Sequence, residues 1–329
     1  VIDNMNNLFI TGRFRDFIDV NPGPGIVTLS AWQSTAMFLL KLNRNGEYIW
    51  AKQFYNSATP ATTVAITANK SVVDDSSNIY IAGYFQGSVD FDPSPNNQFF
   101  TTLQNQSDGF VVKLDSSGNM TWAKHLKSSS WFWTQSIDID DNHNVFVSGS
   151  FYETADFDPG PDSTLLTSMA NHDMFVLKLD QQGELSWVNQ YEGVGFNDPS
   201  DMMVDNAGNI VITGFFDDST DFDPGPQQNI LIPGSLQNAF IINLSGNGQM
   251  NWLKTYGGSG MPDPSSLHID IFGNIYTTGV YSQITDFDPS VNSHKVKTNE
   301  VWSSDFYLQK LDSNGLHLWT INFGDSGTD

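Results

Sequence analysis

The chain has 329 residues, 39% apolar and 13% aromatic, enough to bury a sizeable core and too apolar for a disordered chain. Thirty-seven acids against fourteen bases give a formal charge of −23. Nucleic acid and anionic membrane surfaces are therefore poor partners, since both need clustered Lys and Arg, and a cation is the natural counterpart of so much Asp. With no Cys there is no disulfide or thiolate metal site. No apolar run approaches the ~18 residues that cross a membrane as a helix. No basic-then-apolar segment opens the chain, which starts at Val1 and reads as a mature or excised piece of something longer.

Read in chain order, the sequence repeats itself. An Asp-x-x-x-Asn turn occurs at Asp3/Asn7, Asp74/Asn78, Asp140/Asn144, Asp205/Asn209 and Asp270/Asn274, and a Gly follows each Asn after five residues. Next comes Asp-Phe-Asp-Pro-Gly or a variant, its first Asp at 19, 90, 156, 221 and 286, with spacings of 71, 66, 65 and 65. Then come Gly46, Gly118, Gly183, Gly248 and Gly315, each followed four residues later by Trp: Trp50, Trp122, Trp187, Trp252 and Trp319.

Within one unit, Ser136–Asp140 alternates and ends in a turn, and Val145–Phe151 is a β-rich run. A polar insert over 152–172 follows, then the apolar run Met174–Leu179, a Gly turn, and Leu185–Tyr191 around Trp187. Four short strands per unit, joined by Gly/Asn/Asp turns and with no helical period, predict four-stranded antiparallel blades of an all-β β-propeller. The five units fall at about 1–64, 65–134, 135–199, 200–264 and 265–329.

Phe175-Val-Leu-Lys-Leu-Asp180, then Gly183 and Trp187, then Asp205-x-x-Gly208-Asn209 and Gly214, resemble the bacterial seven-bladed β-propeller repeat family. The resemblance covers essentially the whole chain. It implies the propeller fold and a secreted or cell-surface setting, but assigns no role to the Asp-Phe-Asp-Pro element. This chain departs from the family's count, having five units rather than seven. Either five blades close alone or they form an arc of a larger ring or array; the arc is the preferred reading.

With the strands ordered from the axis outward, the first–second and third–fourth links are minimal turns on one side. The other links are long and lie on the opposite side, where binding usually sits. The Asp-Phe-Asp-Pro elements all fall there. Two Asp at i and i+2 in extended chain point the same way, with the Phe buried beneath. A hard cation would relieve their repulsion. A third carboxylate is expected from the start of the third strand. The candidate calcium ligands are therefore Asp90, Asp92 and Asp108; Asp156, Asp158 and Asp173; Asp221, Asp223 and Asn238; and Asp286, Asp288 and Asp305. The first unit has Asn21 and Ala36 in the second and third of these places, so it is expected not to bind. The competing reading is that Asp before Pro-Gly only caps a turn through backbone N–H groups. The Asp-x-x-x-Asn turns match Asx-turn hairpins better than a calcium loop.

The five phased Trp read as inter-blade core. Trp131-Phe132-Trp133, unrepeated and placed in a fourth-to-first link, and Trp32 and Trp302 in the inserts could instead stack on a sugar or a protein partner. The six His (125, 143, 172, 268, 294 and 317) have no metal-type spacing, and no catalytic motif is present. The expectation is a non-enzymatic, secreted or cell-surface structural or adhesive scaffold stabilised by calcium, with a lectin-like propeller as the alternative. Its partner would be a surface protein or glycan, and self-assembly or further blades are open to it.

Overall fold

The computed structural model describes residues 1–55, 65–234, 236–290, 292–298 and 303–324, the side chains of 32–34 excepted. Among them there is no helix, and the sheets are antiparallel. The third repeat shows the plan. Phe132–Ile139, Val145–Asp156, Leu165–Leu179 and Leu185–Tyr191 pair in chain order. The second repeat follows with Ala65–Val73, Ile79–Gln86, Asp108–Leu114 and Met120–Ser128. The fourth has Asn197–Val204, Ile210–Phe216, Asn238–Leu244 and Met250–Gly258, and the fifth Asp263–Ile269, Ile275–Ser282, Ser304–Leu311 and His317–Phe323. The first contains Leu8–Asp19, Thr28–Leu42 and Tyr48–Phe54, with Ile2 bridging Leu8 at the position where the other repeats end their first strand. First strands begin earlier than the alternation at Ser136 suggested, so Phe132 and Trp133 are strand residues and not part of a link.

The repeats bury most of their apolar faces against one another. Met37, Leu39 and Phe54 of the first pack on Ile66, Ile79 and Ile81 of the second, and Val111 and Leu126 of the second on Phe132 and Ile137 of the third. The same contact joins Met174 and Tyr191 to Met202 and Ile210, and Ala239 and Tyr256 to Leu267 and Ile275. The four largest cores are thus interfaces between consecutive sheets, the condition that makes repeat folds stable only as arrays, while two small clusters, around Phe14 and Val20, are internal to the first repeat.

The phased residues have local causes. The first strands of the second to fifth repeats each carry a bulge, as between Thr134 and Ser136, and the bulge pushes a carbonyl onto the neighbouring strand. A Cβ at Gly149 would collide with the Trp133 carbonyl and the Phe175 ring, so glycine is required there. Gly183, at φ +78, closes the turn after the third strand and lies under Lys124 of the preceding repeat. The Trp side chains reach forward in the same way: Trp122 Nε1 donates to the Gln181 carbonyl at 3.2 Å and Trp187 Nε1 to the Gly246 carbonyl at 3.3 Å. Trp50, Trp122, Trp187 and Trp252 each border the core shared with the following repeat, whereas Trp319 packs on Tyr276 of its own.

Candidate functional site

The inserts carry the paired acids of the Asp motif. In each, the central apolar residue of the Asp motif is buried: Phe91, Phe157, Phe222 and Phe287, with Val20 in the first repeat. Phe157 lies between Phe151 and Phe175, ring centroids 5.1 and 4.9 Å away. The first Asp of each motif turns its carboxylate inward along the chain. Asp156 Oδ1 accepts the N–H groups of Asp158 at 3.2 Å and Thr164 at 2.9 Å. Asp90, Asp221 and Asp286 do the same with residues two and eight positions on. The second Asp caps the Pro turn: Asp158 Oδ1 accepts from Gly160 N at 2.7 Å, Asp92 from Ser94, Asp223 from Gly225 and Asp288 from Ser290. Asn21 makes the same bond to Gly23, at 2.9 Å. A turn cap accepts Asn as readily as Asp, so the turn accounts for Asn21 without appeal to a lost metal site.

The third-strand carboxylates are not brought beside these pairs. Among the described residues, no such trio of Asp side chains converges. Asp173 is fully buried and faces the fourth strand. It accepts from Gly193 N at 3.0 Å, Gln190 Nε2 at 2.7 Å and Met169 N at 3.2 Å. Burial nevertheless pushes its pKa above the usual carboxylate range. Asp108 accepts from Ser128 N at 3.0 Å and meets His125 Nε2 at 2.6 Å. These acids hold the chain where it leaves one repeat for the next. Asp305 is buried in the equivalent place, within reach of the Tyr281 hydroxyl, and Asn238 occupies that place in the fourth repeat; Ala36 in the first is buried.

What the inserts do instead could not be read from local sequence. In the second to fifth repeats the motif strand of the insert pairs with the end of the previous repeat's fourth strand. Asp90 N donates to the Tyr55 carbonyl at 3.0 Å and Asp221 N to the Glu192 carbonyl at 2.8 Å. Asp156 is registered with Lys127, and Asp286 with Gly257. The inserts are arms that bind one repeat to its predecessor.

A second constellation was also hidden. Lys41, Lys113, Lys178 and Lys310 on the third strands lie 4.7 to 4.9 Å over Phe9, Tyr80, Phe146 and Tyr276 on the second. The ammonium groups of Lys41, Lys178 and Lys310 are each 3.9 Å from the turn acids Asp3, Asp140 and Asp270. The fourth repeat has Val211 opposite Asn243 there, losing ring and cation together. This is a structural unit, with cation–π and ion-pair attraction in one place.

The unrepeated aromatics divide. Phe132 is buried under Phe157 and Phe175 and is core. Trp131, 42% exposed, stacks on Trp133 with centroids 5.8 Å apart and planes 17° off parallel. Tyr152 and His172 meet Trp133 edge-on, and Phe196 lies 4.8 Å from His172. His172 Nε2 is 2.8 Å from Asp198 Oδ2. The platform therefore gathers side chains from separated segments, of which the sequence marked only Trp131 and Trp133. Trp32 lies in the strand Thr28–Leu42, its side chain outside the described residues, and Trp302 lies outside them altogether.

No family model matches this chain. An uncharacterized WD repeat-containing protein of Acanthamoeba polyphaga mimivirus is 25% identical over 263 residues, covering 67% of this chain. The aligned region is 19% of that protein's length. A protein of unknown function from Bacteroides caccae aligns over 87% of this chain and 90% of its own at 11% identity, with a TM-score of 0.40. The repeats, their antiparallel sheets and the WD-repeat relative together support a β-propeller-like tandem-repeat scaffold.

Proposed function

We propose that the chain is a non-catalytic, secreted or surface-exposed scaffold whose inserts serve rigidity. The observation that carries this is the pairing of the motif arms of the second to fifth repeats with the repeat before, seen most directly in Asp90 N to Tyr55 O and Asp221 N to Glu192 O. A loop built for ligand capture would leave its backbone groups to the ligand; these arms give theirs to the neighbouring sheet. Calcium at the Asp motifs would add to that rigidity but is not needed to hold the turns. On this reading the five units are an arc of a larger ring or array. The outer flank of the fifth repeat, with Phe306 46% and Phe323 55% exposed, is where another repeat of this type would pack, from a second copy or further blades. Excising the arm of the fourth repeat (residues 218–232) tests the reading. The strand signal should persist while the melting temperature falls, and an unchanged melt would refute it.

A second reading, a glycan-binding surface, is favoured by one feature, the Trp131–Trp133 stack beside the His172–Asp198 pair. The exposed Trp131 indole suits the apolar face of a pyranose. Binding on a glycan array that Trp131→Ala abolishes would establish it; no binding to any glycan would remove it.

A further inference from the structure

On the opposite side, between the minimal turns of the second and third repeats, is a cleft of about 390 Å³ lined by Asp74, Asp75, Asp138, Asp140, Asp141 and His143. The ligand-type atoms of Asp74, Asp75 and His143 all lie within 4.8 Å of one another. His143 Nε2 is 3.2 Å from Asp75 Oδ1, across the boundary between repeats. The two are hydrogen-bonded at that distance, which is close to the roughly 3.3 Å between two ligands of a tetrahedral zinc site with bonds of about 2.0–2.1 Å, so an ion would replace the shared proton with little movement of either side chain.

These residues are not what the turns require. The cleft between the same turns of the fourth and fifth repeats has the same backbone plan, with Asn206 in place of Asp75 and Gly273 in place of His143. His143 holds φ +60, where Gly208 and Gly273 hold φ +78. The fold therefore accepts Asn and Gly at these two places, and although Asp141 repeats the carboxylate at the next boundary, where Gly208 stands opposite, the pairing of an imidazole with a carboxylate occurs at this boundary alone among the described residues.

We propose that this cleft binds one divalent cation of the zinc class, with His143 Nε2 and Asp75 as direct ligands and water completing the shell. An imidazole beside a carboxylate selects zinc-class ions over calcium, which takes oxygen alone. Asp74, 5% exposed, already accepts hydrogen bonds from Ser76 N, Asn78 N, Asn78 Nδ2 and the Tyr80 hydroxyl. It therefore contributes charge at the inner wall and is not a displaceable ligand. Asp75 and His143 have side chains 75% and 32% exposed, so both can adjust around an entering ion.

The test is titration of the intact chain with Zn²⁺ in 150 mM NaCl and excess Mg²⁺, by calorimetry, with the His143 ring resonances followed by NMR. One ion per chain should bind and shift those resonances. His143→Gly and Asp75→Asn, which install residues that other repeats carry in these places, should each weaken binding at least tenfold without changing the melt of the metal-free chain. Co²⁺ should give a d–d spectrum that both variants lose. Failure of the wild type to bind Zn²⁺ below about 1 mM, or equal binding by the two variants, would overturn the proposal.

Discussion

Lys70 of the second repeat reaches past the third to Asp201 of the fourth, with Nζ 2.5 Å from Oδ1. It passes Ser136, whose hydroxyl is 3.1 Å from the ammonium and 3.0 Å from the same carboxylate oxygen. The other oxygen of Asp201 accepts Leu267 N at 2.9 Å and the Ser266 hydroxyl at 3.3 Å. Lys70, Ser136, Asp201 and Ser266 each follow the bulge on their first strand, so four consecutive first strands converge on one polar hub. A side chain can span two repeats only where the inner edges of the sheets curve towards a common axis.

Asp201→Ala should therefore be costly, about 2–4 kcal/mol by chemical denaturation, because Leu267 N loses its acceptor while the Lys70 ammonium, left with the Met202 carbonyl and Ser136 hydroxyl, loses its counter-charge. Lys70→Met should cost no more than about 1 kcal/mol, since the lysine head is partly exposed. A double-mutant cycle giving no coupling between the two positions would mean the hub does not act as a unit.

The glycines should differ by mechanism. Gly149→Ala places a methyl group on the Trp133 carbonyl and should destabilise by roughly 3 kcal/mol or more. Gly208→Ala meets nothing within 4 Å, so only its φ of +78 opposes it, at about 1 kcal/mol. Equal losses at the two sites would undo the account of the bulge.

Much of this was legible beforehand, for physical reasons. Turn residues act locally, so Asp74, Asn78 and their repeats announce Asx turns, and alternation announces strands. The Phe between the two acids was correctly expected to be buried. What sequence could not give is which segments meet. Asp156 and Asp158 were grouped with Asp173 because the second and third strands are neighbours, but Asp173 turns to the fourth strand and the arm turns to the preceding repeat. Phe132 looked like a free aromatic in a link because first strands begin sooner than their alternation shows. A Lys in every third strand but the fourth repeat's was visible, and with Phe9, Tyr80, Phe146 and Tyr276 opposite it could have been found by aligning the repeats.

Position decides burial even where the repeats agree. Tyr191 and Phe323 both stand four residues after the phased Trp, yet Tyr191 is fully buried and Phe323 is 55% exposed. Tyr191→Ala should cost about 3–5 kcal/mol and Phe323→Ala less than about 1 in the isolated chain, by urea titration.

Burial raises the pKa of Asp173, so between its unfolded and folded values the native state holds more proton than the unfolded state, and stability falls as pH rises through that window. Asp173→Asn, the residue the fourth repeat carries as Asn238, removes this term. Going from pH 7 towards pH 4, the wild type should gain stability relative to the variant; parallel curves would show that the carboxylate is not penalised by burial.

The central claim, that the inserts latch each repeat to the one before it, is tested most directly by amide hydrogen exchange at Asp90 and Asp221. Their N–H groups point into the Tyr55 and Glu192 carbonyls, so they should exchange as slowly as core amides such as Val111 and Ile241. Exchange as fast as at the exposed insert residues Asn96 and Gln227 would contradict the latch.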